Sequence, residues 1–143
     1  MTDRRIRVVA RGLVRRGEEL LVARERDSAG GDPFYYLLGG GVEFGERSED
    51  AFRREFDEEL GVELENVSPL GTYEDVFAFE GETRHEVWRV YEADIVEDWP
   101  YERDEFDAHE PELAEKIECV WKRQSAFAEE DETLYPENLV REL

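Results

Sequence analysis

Cysteine is nearly absent from this chain of 143 residues, in which Cys119 stands alone. A single thiol cannot form an internal disulfide, and it lacks the paired spacing of a cysteine-based zinc site. Secreted disulfide-bonded scaffolds and cysteine-based zinc modules are therefore excluded, and we expect a cytoplasmic location. Because Cys119 lies in an apolar stretch, we expect it to be a buried and inert thiol.

Long hydrophobic runs are absent as well. No window approaches the roughly 18 apolar residues of a membrane-spanning helix. The apolar residues near the N-terminus alternate with arginine, which does not match the unbroken core of a signal peptide. We therefore expect no membrane partner. The length suits one core, and we assign residues 1–143 to a single domain.

Lysine is scarce, because only Lys116 and Lys122 accompany the arginines. With 39 Asp and Glu against 18 Lys and Arg, the formal charge is 18 − 39 = −21. Such a field repels phosphodiester backbones, so we expect no nucleic-acid partner. The composition resembles haloarchaeal-type cytosolic proteins, in which molar salt shortens the screening length to about 3 Å. An ordinary acidic protein is the alternative.

Hydrophobic patterning and turn clusters predict an α/β fold with a mixed sheet. Strands at residues 6–14 and 19–26 are expected to form a hairpin across a turn at 16–18. Further strands are expected at residues 34–38, 67–79, 86–95 and 117–121, the first of them ending at the glycines 39–41. Residues 27–33 and 98–111 are predicted as loops, the second of them exposed, and a short helix is expected after Pro136.

One longer helix is predicted to begin at Ser48, as its N-cap, and to end at Gly61 in the left-handed conformation. Phe52, Phe56 and Leu60 follow one another at intervals of four residues and predict one buried stripe.

Three carboxylates of this helix, Glu55, Glu58 and Glu59, fall within about 100° of one another on the helical wheel. Close like charges at the rim of a core need a compensating cation. Mg²⁺ or Mn²⁺ matches carboxylate and carbonyl oxygen ligands, and the preceding glycines allow a backbone carbonyl to approach. The pattern therefore favours metal-assisted chemistry on a phosphate.

This segment resembles the Nudix box, written G-x5-E-x7-R-E-U-x-E-E-x-G-U with U a bulky apolar residue. Its positions are met by Gly40, Glu46, Arg54, Glu55, Phe56, Glu58, Glu59, Gly61 and Val62. Phe56 replaces the usual aliphatic residue, and Leu38 stands where many relatives have proline. The resemblance implies a Nudix α/β/α sandwich with a mixed β-sheet over nearly the whole chain.

The resemblance also implies a reaction, which is the hydrolysis of a nucleoside diphosphate linked to another group by attack of water on phosphorus. It implies that Glu58 and Glu59 bind Mg²⁺ or Mn²⁺, that Glu55 is a ligand or the base, and that the Gly39 or Gly40 carbonyl is a further ligand. Arg54 and Glu46 would form an ion pair between the helix and the loop that precedes it. The alternatives are a non-catalytic Nudix-like protein that senses a nucleotide, and an acidic protein that mimics nucleic acid.

Relatives often recruit one more carboxylate from a loop before the last strand, and Glu115 or Glu112 would be placed for it. Arg24, Arg26 and Arg89 could contact substrate phosphates, although pairing with the surplus glutamates is the alternative for each of them. His85 could act as an acid or base, or be a simple surface histidine.

Clues to the substrate are fewer. Tyr35, Phe77 and Tyr91 could stack on a base or belong to the core. The segment from Tyr135 to Asn138 resembles the place where MutT-type enzymes set an asparagine against a purine, or it is a helix start. We expect a nucleoside triphosphate or a related small nucleotide as substrate, and family habit makes a homodimer possible.

Overall fold

The computed structural model describes residues 4–26, 30–110, 115–129 and 132–143. Positions 27–29 of the predicted loop and Glu112 lie outside these residues. The strands are Ile6–Leu13 (β1), Arg15–Arg16 (β2), Glu19–Glu25 (β3), Phe34–Gly41 (β4), Leu64–Phe79 (β5), Glu82–Ile95 (β6), Glu105–Glu110 (β7), Glu115–Arg123 (β8) and Thr133–Tyr135 (β9). The helices are Ser48–Leu60 (α1), Gln124–Ala128 (α2) and Glu137–Val140 (α3), and a short 3-10 helix covers Trp99–Glu102.

The strands of the described residues form one sheet in the order β5-β6-β1-β4-β3-β8-β7, with β2 beside β3 and β9 beside β4. The pairs β1–β6 and β4–β9 are parallel, and the other pairs are antiparallel. The sheet is therefore mixed, as predicted. The first half of β4 pairs with β3 and β9 and its second half pairs with β1, so β4 joins the two halves of the sheet.

Alternate residues of the central strands supply two separate cores. Ala10, Leu21 and Leu38 face one core, which contains Phe52 and Phe56 of α1. The residues next to them along the strands face the other core, which contains Phe127 of α2 and Leu139 of α3. Helices thus cover both faces of the sheet, and the expected α/β/α sandwich is confirmed. No helix within the described residues is long and apolar enough to cross a membrane.

Helix α1 ends as its sequence predicts, because Gly61 has φ 68° and its N–H bonds the carbonyl of Asp57. Its beginning differs from the prediction. Arg47 is the N-cap residue and makes no side-chain capping bond, whereas Ser48 is already helical and its hydroxyl bonds the phenol of Tyr91. The N-cap prediction for Ser48 was therefore wrong, because a tertiary partner takes this hydroxyl.

The predicted hairpin of residues 6–14 and 19–26 forms only around its turn. The two residues of β2 pair with β3, and Leu21 N–H donates to the carbonyl of Val14, whereas β1 pairs with β4 and β6 instead of β3. Strand β4 does not end at its glycines but continues through them along β1. Residues 98–111 contain the 3-10 helix and β7, in which Phe106 and Ala108 are buried, so this segment is not a simple exposed loop.

Candidate active site

Three carboxylates meet where α1 approaches the end of β7. Glu55 and Glu59 come from one face of the helix, and Glu110 is the last residue of the strand. Each offers an oxygen that lies within 4.8 Å of the others. The register of β7 explains the meeting, because Glu110 is on the same side of the strand as the buried Phe106 and Ala108, which pack in the core of α1.

Burial makes this cluster electrostatically unfavourable on its own. Glu59 is 5% exposed, and its Oε2 has no hydrogen-bond partner. Desolvation, followed by the charge of Glu55, raises the pKa of Glu59 to about 9, although Arg11 acts in the opposite direction. Desolvation also raises the pKa of Glu55, against the lowering effect of Arg54.

Arg54 organises the residues around the cluster. Its Nε and Nη2 donate to the two carboxylate oxygens of Glu46, at 2.8 and 3.0 Å. Its Nη2 also reaches the carbonyl of Gly41 at 3.0 Å, and its Nη1 donates to Glu55 at 3.0 Å and to Glu58 at 3.2 Å. The guanidinium lowers the pKa of Glu46, and these carboxylates raise the pKa of Arg54. Arg54 therefore fixes the position of Glu55 relative to β4.

The glycines of β4 allow the helix to come this close. A Cβ on Gly40 would lie 2.5 Å from Oε2 of Glu55. Gly39 has φ 148°, and a Cβ there would lie 2.0 Å from the carbonyl oxygen of Ala10. A side chain at Gly40 would therefore push Glu55 away from β4, and one at Gly39 would push β4 away from the backbone of β1.

The cluster fits a hard divalent cation on two observations. The donor set consists of carboxylate oxygens, which Mg²⁺ and Mn²⁺ prefer. The buried Oε2 of Glu59 lacks a hydrogen-bond partner within the protein, and an ion would satisfy it. Divalent-cation binding thus agrees with the residues present.

A cleft of about 1280 Å³ extends from the carboxylates along β4. Its far part is aromatic and is lined by Phe34, Tyr36, Phe77, Phe79, Trp88 and Tyr135. Phe77 stacks on Tyr135 with ring centroids 6.2 Å apart, and Phe34 meets the edges of Phe79 and Tyr135. The cleft therefore has an acidic end and an aromatic end.

The family profile described as NUDIX domain matches residues 4–143. The chain belongs to this family. Over 92 residues it is 36% identical to the nucleoside triphosphatase NudI of Escherichia fergusonii, a match that covers 61% of this chain and 65% of the relative. Over 55 residues it is 49% identical to the NAD-capped RNA hydrolase NudC of Chromobacterium violaceum, covering 38% of this chain and 20% of the relative. The chain thus spans less than two thirds of either relative.

Solved structures show the same Nudix fold. A MutT NUDIX hydrolase from Burkholderia pseudomallei superposes with a TM-score of 0.62 at 24% identity, over 96% of this chain and 97% of that one. A NUDIX hydrolase from Nitrosomonas europaea gives 0.64 at 17% identity, over 96% and 85% of the two chains.

Within this Nudix site, the structure brings together Glu55, Glu59, Arg54 and Glu46 as the sequence predicts. Glu58 is exposed at the edge of the cluster and bonds Arg54, while its charge still raises the pKa of Glu59. The carboxylate that the sequence reasoning missed is Glu110. The alternating pattern of residues 105–110 was the available signal, because it places Glu110 on the buried side of a strand.

The other predicted residues lie elsewhere. Arg24 pairs with Glu105 and Glu118, and neither Arg24, Arg26 nor Asn138 lines the cleft. Glu115 begins β8, and Glu112 is outside the described residues. The remaining candidates occupy varied positions. Arg89 donates hydrogen bonds to Thr72 and Ser48, and His85 pairs with Glu74. Of the aromatic candidates, Tyr35 and Tyr91 are buried in the cores, whereas Phe77 lines the cleft. Cys119 is buried as predicted, and desolvation raises the pKa of its thiol to about 12.

Proposed function

We propose that this Nudix protein is a pyrophosphohydrolase that cleaves a nucleoside diphosphate linked to another group, with a nucleoside triphosphate or a related nucleotide as substrate. The observation that carries the proposal is the meeting of Glu55, Glu59 and Glu110 at the acidic end of a cleft large enough for a nucleotide. The intact Nudix box and the nucleoside triphosphatase relative support it. A non-catalytic nucleotide sensor is the alternative.

Glu55, Glu59 and Glu110 would hold Mg²⁺ or Mn²⁺, and Glu58 remains a predicted ligand. A bound divalent cation would polarise a phosphoryl oxygen and neutralise charge that develops on the phosphate. One of the glycine carbonyls of β4 could also be a ligand. The N–H of Val42 donates to the carbonyl of Val8 on β1, and backbone polar groups along β4 point alternately towards β1 and away from it. The Gly40 carbonyl therefore points towards β1, and the Gly39 carbonyl points away from it. Gly39 is therefore the better candidate for a backbone ligand, and the Gly41 carbonyl is already bonded by Arg54.

In the proposed reaction, the oxygen of a water molecule forms a bond to phosphorus while the bridging P–O bond breaks. The electron pair of that bond leaves with the departing phosphate, and the proton of the water passes to a carboxylate. Glu55 is a ligand or the acceptor of this proton, because Arg54 holds one of its oxygens at 3.0 Å and leaves the other for one of these two roles. Glu46 acts indirectly, because it positions Arg54.

The aromatic end of the cleft supports a nucleotide rather than a bare polyphosphate as substrate. Phe77 and Tyr135 form a stacked pair of rings that lines this end, and exposed aromatic faces favour stacking with a base. The NudC relatives act on NAD-capped RNA, so a capped nucleotide is a second candidate. The charge of −21 disfavours a long RNA strand.

Hydrolysis of a nucleotide panel tests the proposal. The panel comprises dNTPs, 8-oxo-dGTP, ADP-ribose, NADH, dinucleoside polyphosphates and a short NAD-capped oligonucleotide, each assayed with Mg²⁺ or Mn²⁺ in molar KCl. We expect metal-dependent turnover of at least one member, with nucleoside monophosphate among the products. A folded protein that binds nucleotide and metal without turnover would contradict the proposal and favour the sensor.

The role of Glu110 gives a residue-specific prediction. Glu110→Gln removes one of the three clustered charges, and we expect kcat/KM to fall about 100-fold. Glu105→Gln is the matched control, because Glu105 lies on the same strand but on its exposed side, paired with Arg24. We expect near wild-type kinetics from the control. Equal kinetics for both variants would remove Glu110 from the site.

We also propose that the acidic surface adapts the protein to high salt. Raising KCl from about 0.1 M to above 1 M should raise Tm by about 10 °C, because the screening length falls from about 10 Å to about 3 Å. A variant with Asp57→Asn, Glu65→Gln and Glu102→Gln, all at exposed positions, should show a smaller dependence on salt. A Tm that is already maximal in dilute buffer would refute the adaptation and leave an ordinary acidic protein.

The single-domain organisation, the cytoplasmic location, the homodimer and the absence of a nucleic-acid partner remain predictions from the sequence.

A further inference from the structure

Arg11 is a basic residue in the cleft that the Nudix box does not include. It lies on β1 opposite Gly39 of β4 and lines the cleft. Its Nη1 donates to the carbonyl of Leu37 at 3.0 Å, and its Nε is buried without a hydrogen-bond partner. The guanidinium thus retains donor capacity that the protein does not use.

The absence of a carboxylate partner is notable in so acidic a chain. Nearby in the sequence, Arg7, Arg15 and Arg16 each pair with at least one carboxylate. No ion pair joins Arg11 to a carboxylate in the part of the chain that the structure describes. A half-buried cation without a carboxylate partner suits an anion that arrives from outside, and a phosphate accepts the forked donors of a guanidinium.

Two aromatic rings hold the Arg11 guanidinium. Its central carbon lies 4.8 Å from the centroid of the Trp88 ring and 5.2 Å from that of Tyr36. The indole N–H of Trp88 donates to the buried Glu86 at 3.1 Å. Glu86 therefore orients Trp88, and Trp88 orients Arg11, so that little freedom of the long side chain is lost when an anion binds.

The position of Arg11 along the cleft defines what it can contact. Tyr36, at the aromatic end, lies against the Arg11 guanidinium, and Gly40, one residue beyond the Gly39 that faces Arg11, lies against Glu55. Arg11 is also close enough to Glu59 for its positive charge to lower the pKa of that carboxyl group. A nucleotide with its base at the aromatic end and its reacting phosphorus at the carboxylates would pass a phosphate over Arg11.

We propose that Arg11 is a substrate-binding residue that contacts a phosphate between the base and the phosphorus under attack, and that Trp88 and Glu86 are its positioning residues. The proposal rests on the proposed function for the orientation of the nucleotide, but anion binding by Arg11 can be tested without turnover.

The kinetic test compares Arg11→Met and Arg11→Lys with the wild type. We expect Arg11→Met to raise KM about 10- to 100-fold with a smaller change in kcat, and Arg11→Lys to recover part of the loss. Arg16→Met is the matched control, because Arg16 also lies 4.8 Å from a Trp ring centroid, that of Trp121, but is paired with Glu19 and Asp104 and does not line the cleft. The control should leave KM unchanged.

The binding test uses calorimetry to measure the affinity of the protein for inorganic tripolyphosphate in the presence of Mg²⁺. Arg11→Met should weaken binding about tenfold or more, whereas Arg16→Met should not. Trp88→Leu should resemble Arg11→Met, and Trp88→Phe, which keeps a ring under Arg11, should restore most of the affinity. The proposal would be overturned if Arg11→Met bound tripolyphosphate as tightly as the wild type, or if the wild type did not bind it. Tripolyphosphate binding that depends on Arg11, together with no hydrolysis of any nucleotide, would refute the enzymatic function alone.

Discussion

Replacing Glu59 by glutamine is expected to abolish metal-dependent hydrolysis while it stabilises the metal-free protein. Glu59 is the most electrostatically strained carboxylate of the cluster, with one buried oxygen that has no hydrogen-bond partner. A neutral amide cannot replace its charge as a metal ligand, so kcat should fall at least about 1000-fold. The measurement is turnover of the best substrate of the panel.

The effect on stability follows from the raised pKa of Glu59. Folding raises this pKa from 4.5 to about 9, so the folded state binds more protons than the unfolded state between these values. The contribution of Glu59 to the stability of the metal-free wild type is therefore greatest below about pH 4.5, and this contribution is lost as the pH rises towards 9. Glutamine does not titrate, and the variant should be more stable by about 3 kcal/mol at pH 7.

Denaturant unfolding in EDTA at several pH values checks this result. The advantage of Glu59→Gln should grow with pH, and saturating Mg²⁺ should reverse it, because the metal stabilises the wild type more. Asp57→Asn is the control, since it removes a charge from an exposed position of the same helix and should leave activity unchanged. A variant less stable than the wild type in EDTA at pH 8 would contradict the predicted strain.

Gly40→Ala should produce a second large loss of activity. The new Cβ would lie 2.5 Å from the carboxylate of Glu55, which Arg54 holds in place and which cannot move without leaving the cluster. We expect kcat to fall about 100-fold, because a small displacement of a reacting group is costly. The folded state should survive with a modest decrease in Tm, because a displaced side chain can absorb the contact.

Gly41→Ala provides the matched control for this substitution. The same methyl group is added one residue along β4, where it would meet the end of the half-exposed Arg7 side chain at 2.8 Å. Arg7 pairs with Glu86 and with none of the three clustered carboxylates, so it can move aside without displacing Glu55. The contrast between the two variants in steady-state kinetics is the result that matters, and equal losses would show that the strand, rather than Glu55, is sensitive.

The Nudix box allowed the central part of the site to be predicted, because its residues are local. Glu55, Glu59 and Arg54 lie within two turns of one helix, so their spacing already places them together. The end of that helix at Gly61 was predictable for the same reason. The parallel pairing of β1 with β6 was not, because it joins segments about 80 residues apart and no local pattern encodes it.

Glu110 shows the same limit at the level of a single residue. Its role depends on the burial of Phe106 and Ala108, which fixes the register of β7 against α1. The alternation of residues 105–110 places Glu110 on the apolar side of a strand, but in a stretch crowded with acidic residues it does not show that this strand packs against α1. Ser48 is a smaller case, since the hydroxyl that suits a helix cap bonds Tyr91 from a distant strand.

The two ends of the cleft are built from separate parts of the chain. The carboxylates come from α1 and β7, whereas Phe77 and Phe79 come from the tip of the long β5–β6 hairpin, outside the Nudix box. The hairpin tip shares no residue with α1 or β7, so substitutions at Phe77 and Phe79 can reshape the aromatic end while the carboxylate cluster keeps its geometry.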